Sequence, residues 1–172
     1  VLNDLCGIER GYMTTVHAYT GDQPTQDTVH KDLYRARAAA LSMIPTSTGA
    51  ANAIGRVLPE LKGKLHGSSI RVPTPNVSVI DLAVSTSREV SIDEVNDAIR
   101  QTAAGAMSGV LAFTTEPLVS VDLNHRTESS IVALPQTDVV DGRMVRVLAW
   151  YDNEWSFATR MADTAVAMAK LV

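Results

Sequence analysis

A crowd of β-type runs, joined by connections too short to carry each strand back parallel to the last, constrains this chain more than any other feature. "GSSIRVPTPNVSVIDLAVST" (67–86) reads as two strands broken at a Pro-Thr-Pro turn, with Val77, Val79 and Asp81 alternating against Ser78, Ile80 and Leu82. "SGVLAFTTEPLVSVDL", "SSIVALPQTDVV" and "GRMVRVLAWYD" supply more, the last apolar enough to be covered on both faces. A parallel return needs about a dozen residues and usually a helix, so repeated βαβ units do not fit. The expectation is an α+β fold: one domain over 1–172, a mixed, largely antiparallel sheet, and helices packed on one face.

The helices sit between and after these strands. In "SIDEVNDAIRQTAAG", Ser91 and Glu94 hold capping-box positions before apolar Val95 and Ile99, and Gly105 closes the pattern. "TSTGAANAIGRVLPELKGK" predicts a helix starting near Thr48 and stopped by Pro59. The last helix places Trp155, Ala158, Met161, Ala162, Ala165, Met168 and Ala169 on one stripe. Near the start, "GYMTTVHAY" (11–19) reads as a strand with His17 near its end. From Thr20 to Pro45 the periodicity fails, apart from a helical turn or two in "LYRARAAALSM". Excursions of that length are usually functional or interfacial.

Composition enters by exclusion. A formal net charge of −4 argues against a nucleic-acid or membrane-surface role, either of which wants a basic face. No apolar run reaches the roughly 20 residues needed to span a bilayer, and a lone cysteine, Cys6, fits a reducing, cytoplasmic setting. The chain opens without Met or a signal segment, so it reads as an internal or C-terminal piece of something longer.

His17, at a strand end facing a polar loop, is a candidate proton acceptor; the plainer reading is a hydrogen-bonded structural histidine. Cys6, between Leu5 and Gly7 at a helix end, reads as a small buried hydrophobe. "TSTGAAN" (46–52) puts hydroxyls and Gly49 at a helix N-terminus, where an anion fits or Thr48 serves only as a cap. Arg71, between Ile70 and Val72, leaves the opposite face of its strand, either to bind a phosphate or to be solvated. Arg35 and Arg37 allow an anion site, a charged surface or a subunit contact, and Asn153 reads as a helix cap. His30, His66 and His125 lack metal-ligand spacing, so no metal site is expected.

Taken together, "TTVHAYT", "HKDLYRARAAALSMIPTSTGAA", "LPELKGKL", "RVPTPNVSVIDL", "EPLVSVD" and "WYDNEW" resemble the catalytic domain of the phosphorylating glyceraldehyde-3-phosphate dehydrogenase family in order, spacing and identity. In that family the nucleophilic cysteine stands in an S-C-T-T-N-C segment. The resemblance implies that this segment, and a Rossmann domain binding most of NAD, precede Val1, and that Cys6 is not the nucleophile. It implies that His17 activates that thiol and later donates to the oxyanion. By the same resemblance Thr20 and Arg71 take the phosphate of glyceraldehyde 3-phosphate, Thr48 and Gly49 hold inorganic phosphate, and Arg35 lies between. Asn153 corresponds to the residue that binds the nicotinamide carboxamide, and Thr20–Arg37 to an S-shaped loop at a subunit interface of a homotetramer. The chain departs at Ser156-Phe157, where the family commonly reads Gly-Tyr, losing a phenol near the nicotinamide. Erythrose-4-phosphate dehydrogenase is the nearest rival; "HAYTGDQ" and "PTSTGAA" favour the glyceraldehyde enzyme. The isolated piece is expected to be catalytically silent, a phosphate-binding or assembly module by itself.

Overall fold

The structure is a computed structural model and describes residues 1–171; the last position of the expected 1–172 domain lies outside them. Among the described residues the α-helices are α1 (Leu2–Cys6), α2 (Ala50–Val57), α3 (Ile92–Ala104) and α4 (Trp155–Ala169). The strands are β1 (Ile8–Ala18), β2 (Ile44–Ser47), β3 (Leu65–Val72), β4 (Ser78–Thr86), β5 (Leu111–Thr114), β6 (Ser130–Ala133), β7 (Asp138–Val140) and β8 (Met144–Tyr151). They form one sheet in the order β2-β3-β1-β4-β8-β6-β5, with β7 also on β8. Among the described residues only β1 with β3 and β5 with β6 run parallel, and the other pairs are antiparallel. The expected α+β architecture is therefore present.

Strand pairing turns the period of two into a single continuous face. Gly11, Met13, Thr15 and His17 of β1 stand beside Leu65, Gly67, Ser69 and Arg71 of β3. Val84, Leu82 and Ile80 flank them on β4, followed by Val145, Val147 and Ala149 on β8. Gly11 is required where that face is tightest: a Cβ there would meet a Val84 methyl at 2.6 Å and the Ala83 carbonyl oxygen at 2.7 Å. Its absence lets Leu65 and Val84 close over β1.

One end of the face is the core. Leu65, Val84, Val145 and Val147 pack with Cys6 of α1 and with Val95 and Ile99 of α3, while Ile54 of α2 lies at the margin. Each fully buried aliphatic side chain there contributes about 2 kcal/mol. The helix α3 is delivered by its capping box: Ser91 Oγ accepts from the Glu94 amide at 3.1 Å and Glu94 Oε2 from the Ser91 amide at 2.9 Å. Gly105 ends it without a left-handed turn, at φ −116°.

Other expectations need correction. The strand β8 is covered on one face only. Val145 and Val147 are buried, but Met144 is half exposed and Arg146 meets Asp81 through paired 2.8 Å bonds on the outer face. Apolar content misled here because outward positions of a half-covered strand tolerate long side chains. Cover returns only near Trp150, beside the small cluster of Val77, Leu123 and Ile131. The second half of "SGVLAFTTEPLVSVDL" is not strand: Ser120–Leu123 forms a 3-10 turn, after Pro117 removes a ladder donor and Asp122 accepts from the Val119 amide at 2.8 Å. In α4 only Ser156 is buried, and Trp155, Met161 and Met168 of the apolar stripe are exposed. The excursion after Thr20 holds a single 3-10 turn, Leu33–Ala36, capped by Asp32.

Candidate active site

At the other end of the same face the side chains change from aliphatic to polar. His17 and Arg71 are Cα partners across β1 and β3, so the shared pleat sends both to one side. Arg71 Nη1 lies 2.8 Å from His17 Nδ1, donates to the Ala18 carbonyl oxygen at 3.0 Å and reaches Thr20 Oγ1 at 3.3 Å. Thr20 hydrogen-bonds onward to Asp22, and Asp22 Oδ2 accepts from Arg35 Nη2 at 2.7 Å. The Asp22 carboxyl is held below its usual range, chiefly by the Thr20 hydroxyl and then, against some burial, by Arg35 and Arg71.

A hollow opens here, lined by Thr15, His17, Thr48, Gly49, Ser69 and Arg71 with Tyr151 at its side. Thr48 and Gly49 arrive from the turn before α2, where Thr48 Oγ1 accepts from the Ala50 amide at 3.2 Å. Two buried polar atoms of the lining residues have no protein partner, Ser69 Oγ and Arg71 Nε. A buried donor without a partner is costly, which suits a lining that an anion completes. A second hollow is lined by His17, Ser129, Tyr151, Asn153, Ser156, Phe157 and Arg160. His17 and Tyr151 form the wall common to both hollows.

That wall is fixed from behind. Tyr151 OH is 2.9 Å from Thr15 Oγ1, and its ring meets the imidazole edge-on at a centroid distance of 5.9 Å. Burial, and then the Arg71 charge, push the His17 pKa below its ordinary value, although the Ala18 carbonyl, Glu154 and Asp22 pull the other way. The ring is thus neutral near pH 7 and able to take a proton.

Asn153 is held by a buried serine: Ser78 Oγ donates to Asn153 Oδ1 at 2.8 Å and accepts from the Ala18 amide at 3.0 Å. The Asn153 amide and the His17 segment are thereby tied to one hydroxyl. Asp152, fully buried, accepts from the Glu154 and Trp155 amides at 3.0 and 2.8 Å. It also takes the Asn76 side chain and the His125 amide, both at 2.8 Å. Burial alone would raise its carboxyl, but these donors hold it below the usual range.

Of the residues singled out from the sequence, His17, Thr48, Gly49 and Arg71 line one hollow, with Thr20 bonded to Arg71. Asn153 lines the neighbouring hollow. Arg35 lines neither; it is tied to them through Asp22 and Thr20. Arg37 pairs with Asp27 at 3.0 Å on the exposed loop. Cys6 is buried, its Sγ 3.1 Å from the Leu2 carbonyl oxygen. Among the described residues no group of acids, histidines and cysteines could hold a metal ion. Sequence reasoning missed Thr15, Ser69 and Tyr151 as lining and Ser78 and Asp152 as supports. Thr15 and Ser69 stand two positions before His17 and Arg71, so strand parity alone carried a signal for them.

Comparison with known proteins bears on the family of the chain. Residues 1–153 match the family described as glyceraldehyde 3-phosphate dehydrogenase, C-terminal domain. The glyceraldehyde-3-phosphate dehydrogenase of Cereibacter sphaeroides is 66% identical over 172 residues, all of this chain and 52% of that protein. The enzyme of the same name from Xanthobacter flavus is 66% identical over 171 residues, 99% of this chain and 51% of the relative. That of Geobacillus stearothermophilus is 55% identical over 169 residues, 98% of this chain and 50% of the relative. The chain spans about half the length of the curated relatives it matches. With a matched span that includes His17, Arg71, Thr48 and Asn153, the chain belongs to the glyceraldehyde 3-phosphate dehydrogenase C-terminal domain family.

Proposed function

We propose that these residues form the catalytic domain of an NAD-dependent enzyme that oxidises and phosphorylates glyceraldehyde 3-phosphate to 1,3-bisphosphoglycerate in glycolysis. The reading rests on one observation: the His17 imidazole, whose pKa burial lowers, forms the wall between a hollow lined by Arg71, Thr48 and Gly49 and a hollow lined by Asn153. In this reading a cysteine thiol supplied by chain outside these residues meets His17, which takes its proton; the thiolate adds to the aldehyde carbon, and His17 then donates to the oxyanion. Arg71 and Thr20 hold the substrate phosphate, and Thr48 and Gly49 the inorganic phosphate that cleaves the thioester. Arg35 sets the Thr20 hydroxyl through Asp22.

NAD, when bound, supplies the hydride acceptor. The second hollow suits its nicotinamide: Ser78 anchors one end of the Asn153 amide, and exposed Phe157 offers an apolar edge beside it. Most of the dinucleotide contact belongs to a further domain in this reading.

The exposed Val29, Leu33 and Tyr34 of the Thr20–Arg37 loop support a subunit interface there and a homotetramer of the full-length protein. No described helix is long and apolar enough to cross a membrane, and the one thiol is free; both accord with a cytoplasmic enzyme.

The deciding assay follows NAD reduction with glyceraldehyde 3-phosphate and phosphate. The full-length protein turns over, the 172-residue piece alone does not, and Arg71→Ala in the full-length protein lowers kcat/KM about a hundredfold, roughly 2.7 kcal/mol of transition-state binding. Turnover by the piece alone would overturn the assignment of the thiol to an outside segment. Unchanged kinetics in Arg71→Ala would remove Arg71 from the substrate site.

A further inference from the structure

One polar side chain in the floor of the first hollow has no role in the chemistry described so far. Ser69 lines that hollow, is only 4% exposed, and its Oγ is without a hydrogen-bond partner. A buried hydroxyl in that condition is rare in a folded interior and points to a group that completes it. Its neighbour differs: Thr15, the Cα partner of Ser69 on β1, has its hydroxyl against Tyr151 OH at 2.9 Å. On the other side β2 runs antiparallel to β3, with Ile44 opposite Arg71 and Thr46 opposite Ser69, and Thr48 follows two residues on. Ser69 therefore stands between Arg71 and Thr48 on one face of the ladder, two residues or roughly 7 Å of strand from Arg71.

The two anion cradles flanking it are unequally equipped. Arg71 brings a guanidinium with several N–H donors. The Thr48–Gly49 turn has a hydroxyl and backbone amides and no charged side chain of its own. Thr48 Oγ1 accepts from the Ala50 amide at 3.2 Å, which leaves its O–H to donate. Space above the turn is open, since a Cβ added to Gly49 would meet nothing within 4 Å. A dianion seated there lacks donors, and the nearest idle hydroxyl on the ladder is that of Ser69.

We infer that Ser69 is a further ligand of the inorganic phosphate held by Thr48 and Gly49, donating its O–H to a phosphate oxygen from the floor of the hollow. The inference rests on the reading above, in which that turn holds the attacking phosphate, and adds a residue to it. Oγ has no hydrogen bond to break, so rotation about the single χ1 bond brings it to an oxygen. The anion is then fixed from β3 as well as from the turn before α2, which orients one oxygen toward the thioester carbon. In that step a carbon–oxygen bond forms, the carbon–sulfur bond breaks and sulfur leaves with the electron pair. The phosphate proton passes to the pair of thiolate and His17, and Ser69 keeps its own.

The test is steady-state kinetics of the full-length protein with inorganic phosphate and glyceraldehyde 3-phosphate varied separately. Acylation of the thiol precedes the phosphate step, so kcat/KM for each substrate reports on a different half of the reaction. Ser69→Ala should lower kcat/KM for phosphate about tenfold, the loss of one charge-assisted hydrogen bond, and leave that for the aldehyde within about twofold. Ser69→Thr, which keeps the hydroxyl, should recover most of the loss. Urea midpoints without phosphate should match in the native protein and Ser69→Ala, because no hydrogen bond within the protein is removed; a fall would make the hydroxyl structural and overturn the inference. Unchanged phosphate kinetics in Ser69→Ala would mean that the hydroxyl holds only water, and the inference falls while the Thr48–Gly49 site survives. A loss confined to the aldehyde would assign Ser69 to the substrate phosphate and overturn it too. If turnover of the native protein does not depend on inorganic phosphate, the underlying reading falls as well.

Discussion

The two ends of one sheet face share strands, pleat and register, yet behave as different materials. At one end Leu65, Val84, Val145 and Val147 lie dry beneath α1 and α3. A few residues further along the same strands stand Ser69 and Arg71, Thr15 and His17, and Tyr151, with a hollow above them. The backbone ladder is the same in both places; only the helical cover and the side-chain chemistry differ. The dry end carries stability by burying aliphatic surface. It thereby supports a polar end that tolerates orphaned donors and a neutral histidine beside a guanidinium.

Changes that break this contrast should hit opposite readouts. Placing a charge in the dry end has the largest effect: Val145→Asp should cost more than about 4 kcal/mol and leave no cooperative urea transition. A normal transition would mean the two ends are not energetically distinct. The polar end is held by hydrogen bonds, so its weak point is Asp152. Asp152→Asn turns an NH2 group toward donors that now meet a carboxylate oxygen, and should lower stability by about 2 kcal/mol in urea unfolding. A neutral result would mean those loops hold without the carboxylate.

The smallest effect is a pH dependence. The unfolded chain protonates His17 at about pH 6.5, whereas the folded chain resists, so falling pH favours unfolding between 6.5 and the lowered native value. Stability should rise slightly with pH through that window and level off above it. In His17→Gln the rise should vanish from urea midpoints measured across pH 5 to 8, with the other groups bearing on the ring, Arg71, Glu154 and Asp22, left in place. An identical profile in both proteins would mean that burial does not hold the ring neutral.

Much of this was legible locally. The Ser91–Glu94 capping box, the stop at Pro59 and the buried Cys6 follow from neighbouring residues and appear as read. Parity within a strand put Arg71 on the face opposite Ile70, and the structure keeps it there. The α4 stripe shows the limit of such reasoning. Its spacing is amphipathic, but spacing records an apolar face without saying what covers it, and here Met161 and Met168 stay exposed. The outward positions of β8 failed for the same reason, because a run of apolar letters does not reveal whether one face or two will be packed.

Sequence by itself determined most of the helices and strands, the capping box of α3, the mixed α+β class and the residue types able to move a proton or bind an anion, since each depends on contacts a few residues apart. Only the tertiary structure decided that β3 pairs parallel with β1, so that Arg71 meets His17 across 54 positions of chain. It alone brought Thr48 and Tyr151 to the same hollow. Strand pairing is chosen by long-range burial of one shared face, and no short window of residues contains that information.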